Sequence, residues 1–200
     1  MNELLPLFLN LAGRPVLLVG GGNVAVSKLR PLLATGADLR VVAPEVRQEI
    51  LDAPVRVERR PFEERDLDGV WLVVAAALPE VNRAVAEAAE RRRLFVNAVD
   101  DPSNASAFLS GVVRREGVTL AISSRGDAPG LTGLLREALD AVLPRDLRLW
   151  MDEARRQRVA WRRDGVPMEA RRPLLLEALN VLYDRRARAA GRPRLEESWR

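Results

Sequence analysis

The residues best suited to chemistry in this chain form a glycine-rich turn near its amino terminus. Gly20 and Gly22 stand in the spacing Gly-x-Gly-x-x-Ala, directly after the apolar run 16–19. The first glycine of such a turn permits a tight bend, and the second lets the backbone approach a pyrophosphate. The N–H groups at the start of the following helix then point at the anion. The spacing predicts a dinucleotide site that includes Asn23 and Val24, although a purely structural turn would also fit it.

The end of the second predicted strand is the expected contact for the cofactor's ribose. A strand that serves NAD usually ends in an acidic residue, which binds the ribose hydroxyls. Here Glu45 follows Pro44, so either the Glu45 side chain or the backbone of both residues reaches the ribose. No arginine stands at Ala43 or Pro44 to hold a 2′-phosphate, which favours NAD over NADP.

The amino-acid composition restricts which side chains can act in catalysis or bind a metal. The chain has 200 residues, of which 48% are hydrophobic, and it contains no cysteine and no histidine. Thiolate metal sites, cysteine nucleophiles and histidine bases are therefore excluded. No apolar run approaches a membrane span and the start lacks a basic signal region, so we expect a cytoplasmic protein. Residues 145–200 carry 15 arginines and 9 acidic residues, which suits nucleic acid, a membrane surface, a polyanionic small molecule or simply a solvated helical face.

Strand-like and helix-like segments alternate through the first hundred residues. The predicted strands are 16–19, 39–43, 55–57, 70–75 and 94–99. This alternation predicts an α/β fold with a Rossmann-type doubly wound parallel sheet. Pro31 lies inside the first predicted helix, where it should bend the helix or remove a hydrogen bond.

The pattern changes after Asp100. Runs 107–113 and 118–123 predict a hairpin, a small-residue loop leads into an amphipathic helix, and the remainder is helical with a frayed tail after Gly191. An isolated hairpin is unstable, so we expect this element to pair with a second copy of the chain. The predicted division is an NAD-binding Rossmann domain at 1–110, a dimerisation element at 111–145 and a helical C-terminal region at 146–200.

Four segments carry a resemblance to a known family. They are 5–11, 19–25, 97–100 and 121–129. In this order they resemble the precorrin-2 dehydrogenase/sirohydrochlorin ferrochelatase family, the first module of siroheme synthases, over about residues 4–145. The resemblance implies NAD-dependent oxidation of precorrin-2 to sirohydrochlorin, with Fe²⁺ insertion in some members, and a homodimer. It also implies that Asp100 is the key catalytic residue.

The candidate site residues can also be interpreted without that resemblance. Asp100 ends a predicted parallel strand, where open α/β sheets bind ligands, and a carboxylate is the natural base in a chain without histidine. Alternatively, Asp100 or Asp101 caps the following turn. Ser124 matches a family serine near the tetrapyrrole that carries phosphate in some members, or it only caps a helix. Arg125 and Arg136 suit the carboxylates of such a substrate.

Two other functions fit the sequence. One is a chelatase or tetrapyrrole-binding protein without redox turnover, which the lack of histidine and cysteine makes a weaker case. The other is a non-enzymatic NAD-sensing module, which would need an output element such as a DNA-reading helix. The hairpin and the loop at 123–126 do not resemble one, and only the basic C-terminal region favours this alternative. We therefore expect no nucleic-acid partner and, without a long apolar run, no membrane partner.

Overall fold

The computed structural model describes residues 3–189, with side chains as far as residue 184. The chain divides into two compact units: unit 1 runs to Gly111 and includes Ser123–Gly133, and unit 2 comprises Val112–Ile122 and the chain from Leu134 onward. The segment 111–145, expected to act as one dimerisation element, is thus shared between the units, and the three-part division stays a prediction. The tail expected to fray after Gly191 lies outside the described residues.

Unit 1 is built on a parallel five-stranded sheet. Its strands are β1 (Pro15–Val19), β2 (Asp38–Val42), β3 (Arg56–Glu58), β4 (Leu72–Ala75) and β5 (Phe95–Ala98). They lie in the order β3-β2-β1-β4-β5, and every neighbouring pair is parallel. The Rossmann-type α/β fold expected from the sequence is confirmed. The strand order reverses between β1 and β4, and ligands of open α/β sheets bind beyond the carboxyl ends of the strands at such a point.

Helices and short turns connect these strands and complete the chain. They are α1 (Asn23–Leu33), α2 (Gln48–Leu51), α3 (Pro79–Arg91), α4 (Pro129–Val142), α5 (Leu147–Arg163) and α6 (Met168–Ala189), with 3-10 turns at Glu64–Leu67 and Pro102–Asn104. Helix α1 continues through Pro31 to Leu33. Because proline has no N–H, the carbonyl of Ser27 lacks its usual partner one turn later. No helix among residues 3–189 is long and apolar enough to cross a membrane.

The sheet buries both of its faces. Alternate residues of a strand point to opposite faces, so Leu18 packs in one layer with Leu29 of α1, and Leu17 packs in the other with Val85 of α3. The two central strands, β1 and β4, are therefore continuous apolar runs, as is typical of buried parallel strands. The two layers fix the ends of β1, β4 and β5, from which the candidate site is built.

The hairpin in the middle of the chain differs from the expected one. Its strands are β6 (Gly111–Arg115) and β7 (Val118–Ile122), so the first strand begins later than predicted and the connection is shorter. Only Glu116 and Gly117 form the turn, with φ of 48° and 87°, and positive φ at both positions is what a two-residue type I′ turn requires. Ala107 lies outside the hairpin, and its N–H donates to the Val96 carbonyl at 2.9 Å.

Helices α5 and α6 pack through an aromatic pair. The rings of Trp150 and Tyr183 meet edge to face, with centroids 6.2 Å apart and planes at 85°. The Trp150 indole N–H donates to the Tyr183 hydroxyl, which in turn donates to Asp146 Oδ1 at 3.1 Å. This chain of hydrogen bonds satisfies the polar atoms of the two rings, as partly buried tryptophan and tyrosine require.

Candidate functional site

Two of the three glycines after β1 are held against neighbouring backbone. A Cβ at Gly20 would lie 2.2 Å from the carbonyl oxygen of Ala76, and one at Gly21 would lie 2.0 Å from that of Glu45. Gly20 also has φ of +123°, a conformation that residues with a side chain rarely adopt. The Arg47 N–H donates to the Gly21 carbonyl at 3.0 Å. These contacts lock the turn to β4 on one side and to the loop after β2 on the other.

Gly22 has a different environment. A Cβ at this position would meet no atom within 4 Å, and Gly22, Asn23 and Val24 are all exposed. Gly22 is also the N-cap of α1, where no side chain caps the helix and the first turn holds no acidic residue. The first N–H groups of a helix have no intrahelical partner and favour an anion. The turn thus offers the open space and the donors that a pyrophosphate needs.

The predicted ribose contacts lie beside this turn. Pro44 and Glu45 are exposed, and the Glu45 backbone touches Gly21. The Glu45 side chain is therefore free to reach a ligand that crosses the turn. Arg47, two residues after Glu45, pairs with Glu49 at 3.1 Å.

A cavity of about 270 Å³ opens at the carboxyl end of the sheet. Its lining comes from the start of α1, the connection between β4 and α3, and the end of β5. The lining residues are Val24, Ala76, Ala77, Pro79, Asn82, Val99, Asp100 and Asp101. The structure therefore brings one residue predicted to bind the cofactor, Val24, to the same cavity as the predicted catalytic residue, Asp100.

The two consecutive aspartates in this cavity have different roles. Asp101 Oδ1 accepts a hydrogen bond from Ser103 Oγ, and Oδ2 accepts one from Asn104 Nδ2, each at 2.7 Å. The bond from Ser103, followed by that from Asn104, holds the pKa of Asp101 below its ordinary value. Asp101 stands at the N-cap position of the 3-10 turn, and its carboxylate is bound to the side chains of that turn rather than to its backbone N–H groups. Asp100 is exposed and has φ of +58°, and no hydrogen bond or ion pair within residues 3–189 engages its carboxylate.

Asn82 is the lining residue that sequence reasoning missed. It is 4% exposed, and its Oδ1 accepts a hydrogen bond from the Ala77 N–H at 2.9 Å. The available sequence signal was helical spacing, because Asn82 shares a face of α3 with Val85, Ala86 and Ala89, all of which are buried. A polar residue on the apolar face of a helix requires a partner or a function.

The loop that contains Ser124 and Arg125 is organised around the start of α4. Ser124 Oγ accepts hydrogen bonds from the Ala128 N–H at 3.2 Å and from Thr132 Oγ1 at 3.0 Å. These bonds tie the loop to the start of α4, but they are not those of an N-cap residue, whose side chain accepts from a backbone N–H in the first turn of the helix. A Cβ at Gly126 would lie 3.0 Å from Pro102 Cγ, so the loop packs on the turn that follows Asp101. Ser124 and Arg125 do not line the cavity itself.

Two further points concern Arg136, which does not line the cavity, and metal binding. Arg136 pairs with Glu137 at 3.1 Å, on the part of α4 that belongs to unit 2. Between residues 3 and 189, no group of three or more acidic, histidine or cysteine side chains is arranged to hold a metal ion. Among the described residues, the polar side chains of the cavity are thus two carboxylates and one amide.

Comparisons with known proteins agree with this geometry. Residues 7–111 match the model of a family described as "Putative NAD(P)-binding". The chain is 47% identical over 150 residues to siroheme synthase 3 of Aeromonas hydrophila subsp. hydrophila, and 42% identical over 148 residues to the siroheme synthase of Salmonella typhi. Each alignment covers 72% of this chain and 32% of the relative, so the chain spans about one third of the length of these relatives.

A match to a solved structure covers a larger share of both chains. The fold superimposes on that of SirC, a precorrin-2 dehydrogenase, with a TM-score of 0.68 and 30% sequence identity. The match covers 87% of this chain and 88% of SirC. The resemblance therefore includes both the parallel sheet and most of the chain that follows it.

Proposed function

Because this chain belongs to the precorrin-2 dehydrogenase family, we propose that it oxidises precorrin-2 to sirohydrochlorin with NAD⁺. The observation that carries the proposal is the unengaged carboxylate of Asp100 in the cavity beside the dinucleotide turn. Two hydrogens must leave the substrate, one as a hydride and one as a proton. The bound NAD⁺ supplies the hydride acceptor, and the protein supplies the base.

The residues around the turn fit a bound dinucleotide. Gly20 forms the bend, and Gly22 leaves room for the pyrophosphate next to the N–H groups of Asn23 and Val24. Glu45 would hold the ribose on the adenine side through its side chain, or the backbone of Pro44 and Glu45 would do so. A carboxylate at this position binds the hydroxyls of NAD and repels the 2′-phosphate of NADP.

Asp100 accepts the proton. Its left-handed backbone, with φ of +58°, is a conformation that aspartate adopts more readily than most residues with a side chain. Because Asp101 is the residue that binds the Ser103 and Asn104 side chains, the Asp100 carboxylate remains available to a substrate. A single positioned base of this kind contributes about 10²- to 10⁴-fold to a proton-transfer step.

The loop at Ser124 and Arg125 lies beyond the turn that follows Asp100 and is assigned to the tetrapyrrole. The contact of Gly126 with Pro102 supports that placement. A guanidinium pairs well with the carboxylate side chains that such a substrate carries. Ser124 donates or accepts a hydrogen bond there in addition to its bonds with Ala128 and Thr132.

We also propose that the protein is a homodimer. Helix α4 exposes apolar side chains along one face, among them Leu131 at 54%, Leu134 at 66% and Val142 at 79% exposure. The β6–β7 hairpin has only two strands, and a sheet that small is marginal without further packing. A second copy of the chain would cover both features at once.

The test is turnover of the natural substrate. Purified protein is given precorrin-2 with NAD⁺ or NADP⁺ in parallel, and reduced cofactor and sirohydrochlorin are both measured. We expect product with NAD⁺ and much less with NADP⁺. Fe²⁺ added to the product then reports any chelatase activity. If NAD⁺ binds but no sirohydrochlorin forms, the dehydrogenase proposal is wrong.

A further inference from the structure

Asn82 occupies an unusual position for an amide. It lies in the first turn and a half of α3 and is 4% exposed, yet it lines the cavity that holds Asp100. Its backbone N–H is already used, since it donates to the Leu78 carbonyl at 2.9 Å. The side-chain amide is thus the part of Asn82 whose capacity for hydrogen bonds has still to be accounted for.

The orientation of the amide is fixed by its one hydrogen bond. The Ala77 N–H is a donor, so the atom that it meets at 2.9 Å must be the carbonyl oxygen Oδ1. The NH₂ group is therefore turned the other way. No group within residues 3–189 accepts a hydrogen bond from Nδ2, and Nδ2 is not one of the sealed, unpaired polar atoms, of which that part of the chain has none. The two donors of Nδ2 therefore remain accessible from the cavity.

We infer that Asn82 is a further cofactor-binding residue, whose Nδ2 donates to the ribose on the nicotinamide side of the bound dinucleotide. The inference rests on the proposed function in that the ligand is taken to be NAD. It extends that function by assigning a contact on the β4 side of the site.

The course of the dinucleotide follows from the topology. In this fold the pyrophosphate would lie at Gly22, between β1 and the start of α1, and the adenosine half would extend toward β2 and Glu45. The other half must then cross the point where the strand order reverses and pass the connection between β4 and α3. The first group beyond the pyrophosphate on that side is a ribose, whose hydroxyl oxygens accept hydrogen bonds. Ala76, Ala77 and Asn82 form this wall of the cavity.

The competing explanation is that Asn82 only ties the loop at Ala77 to α3. Asn82→Asp separates the two roles, because a carboxylate keeps the acceptor for the Ala77 N–H but has no donor. Asn82→Ala removes both groups and serves as the matched variant for the structural role. Binding of NAD⁺, ADP-ribose and ADP is measured by calorimetry for each protein, together with the thermal midpoint of unfolding without ligand.

ADP-ribose contains the second ribose and ADP does not. We therefore expect Asn82→Asp to weaken NAD⁺ and ADP-ribose about tenfold, the size of one lost hydrogen bond. ADP affinity and the thermal midpoint should stay close to wild type. Asn82→Ala should lower the midpoint as well. If Asn82→Asp binds ADP-ribose as tightly as wild type, or loses ADP affinity equally, the assignment is overturned. These outcomes do not depend on turnover of precorrin-2, so failure of the dehydrogenase proposal would be seen separately.

Discussion

Asp101 accepts hydrogen bonds at both of its carboxylate oxygens, whereas the carboxylate of the preceding Asp100 lines the cavity without such a partner in residues 3–189. The two residues carry the same functional group one position apart. The fold uses one carboxylate to shape the turn and leaves the other available to a ligand. A pair of single substitutions therefore separates chemistry from structure.

Asp100→Asn should abolish most turnover and leave NAD⁺ binding intact. Asparagine tolerates the left-handed backbone at this position, so the substitution removes the base without strain. The expected loss in kcat is about 10²- to 10⁴-fold, measured by reduced-cofactor formation with precorrin-2, and NAD⁺ affinity is measured by calorimetry.

Asp101→Asn is the matched control. It should keep kcat within a few-fold of wild type and lower the thermal midpoint, because an amide replaces the acceptor for Ser103 or Asn104. Equal losses of kcat in both variants would show that the shape of the turn, and not the Asp100 carboxylate, limits the reaction.

Alanine substitutions at Gly22 and Gly21 should affect different properties, the first NAD⁺ affinity and the second stability. Gly22→Ala places a methyl group in open space, at φ of −86°, which alanine adopts freely. The variant should keep its stability and lose about tenfold or more in NAD⁺ affinity, because the methyl group occupies the pyrophosphate space. Gly21→Ala would place its methyl 2.0 Å from the Glu45 carbonyl oxygen, so it should lower the thermal midpoint sharply. A Gly22→Ala variant with unchanged affinity would contradict the assigned cofactor position.

How far the sequence predicts this site depends on whether the determinant is local. The spacing of Gly20 and Gly22 reflects local backbone demands, and it correctly predicted a turn between a buried strand and a helix. The choice between Asp100 and Asp101 depends on where Ser103 and Asn104 fold back, which no spacing rule supplies. Asn82 was missed because asparagine within a helix usually lies on the solvent side. The hairpin boundary was wrong because Arg114 and Arg115 are polar yet belong to β6.

A charge on α4 should dissociate the proposed dimer. Leu134→Glu introduces a carboxylate at a side chain that is 66% exposed, so the monomer fold tolerates it while burial against a second copy does not. The expected result is a shift from dimer to monomer by light scattering. Val159→Glu is the control, since Val159 is 71% exposed on α5 and should leave the mass unchanged. A monomeric wild-type protein, or a dimeric Leu134→Glu variant, would refute the proposed interface.

Asp66 should make the free energy of unfolding depend on pH in the acid range. It is 1% exposed and accepts hydrogen bonds from Arg60 Nη1 at 2.8 Å and from the Glu63 N–H at 2.9 Å. Burial raises the pKa of Asp66, but the bonds from Arg60 and Glu63 outweigh it, so the pKa lies below its ordinary value. A carboxyl group with a lowered pKa stabilises the folded state above its unfolded pKa of about 4. That contribution is lost as the pH falls through the folded pKa.

Asp66→Asn should therefore lower the free energy of unfolding at pH 7 by roughly 3 kcal/mol, measured by urea denaturation. The difference from wild type should shrink from about pH 4 downward, as the wild-type carboxylate takes up a proton. Glu49→Gln removes an exposed partner of Arg47 and should change little at any pH, because solvent screens an ion pair at the surface. A pH-independent effect of Asp66→Asn would mean that packing, and not ionisation, explains it.

The route of the backbone between the two units has a consequence for dissecting this protein. The chain passes from one unit to the other after Gly111, after Ile122 and after Gly133. No single cut therefore yields two intact pieces. A fragment ending at Gly111 would retain the dinucleotide turn and Asp100 but forfeit Ser124 and Arg125, and its complement would carry them without the sheet. The two units must therefore be expressed as one chain for either to be intact.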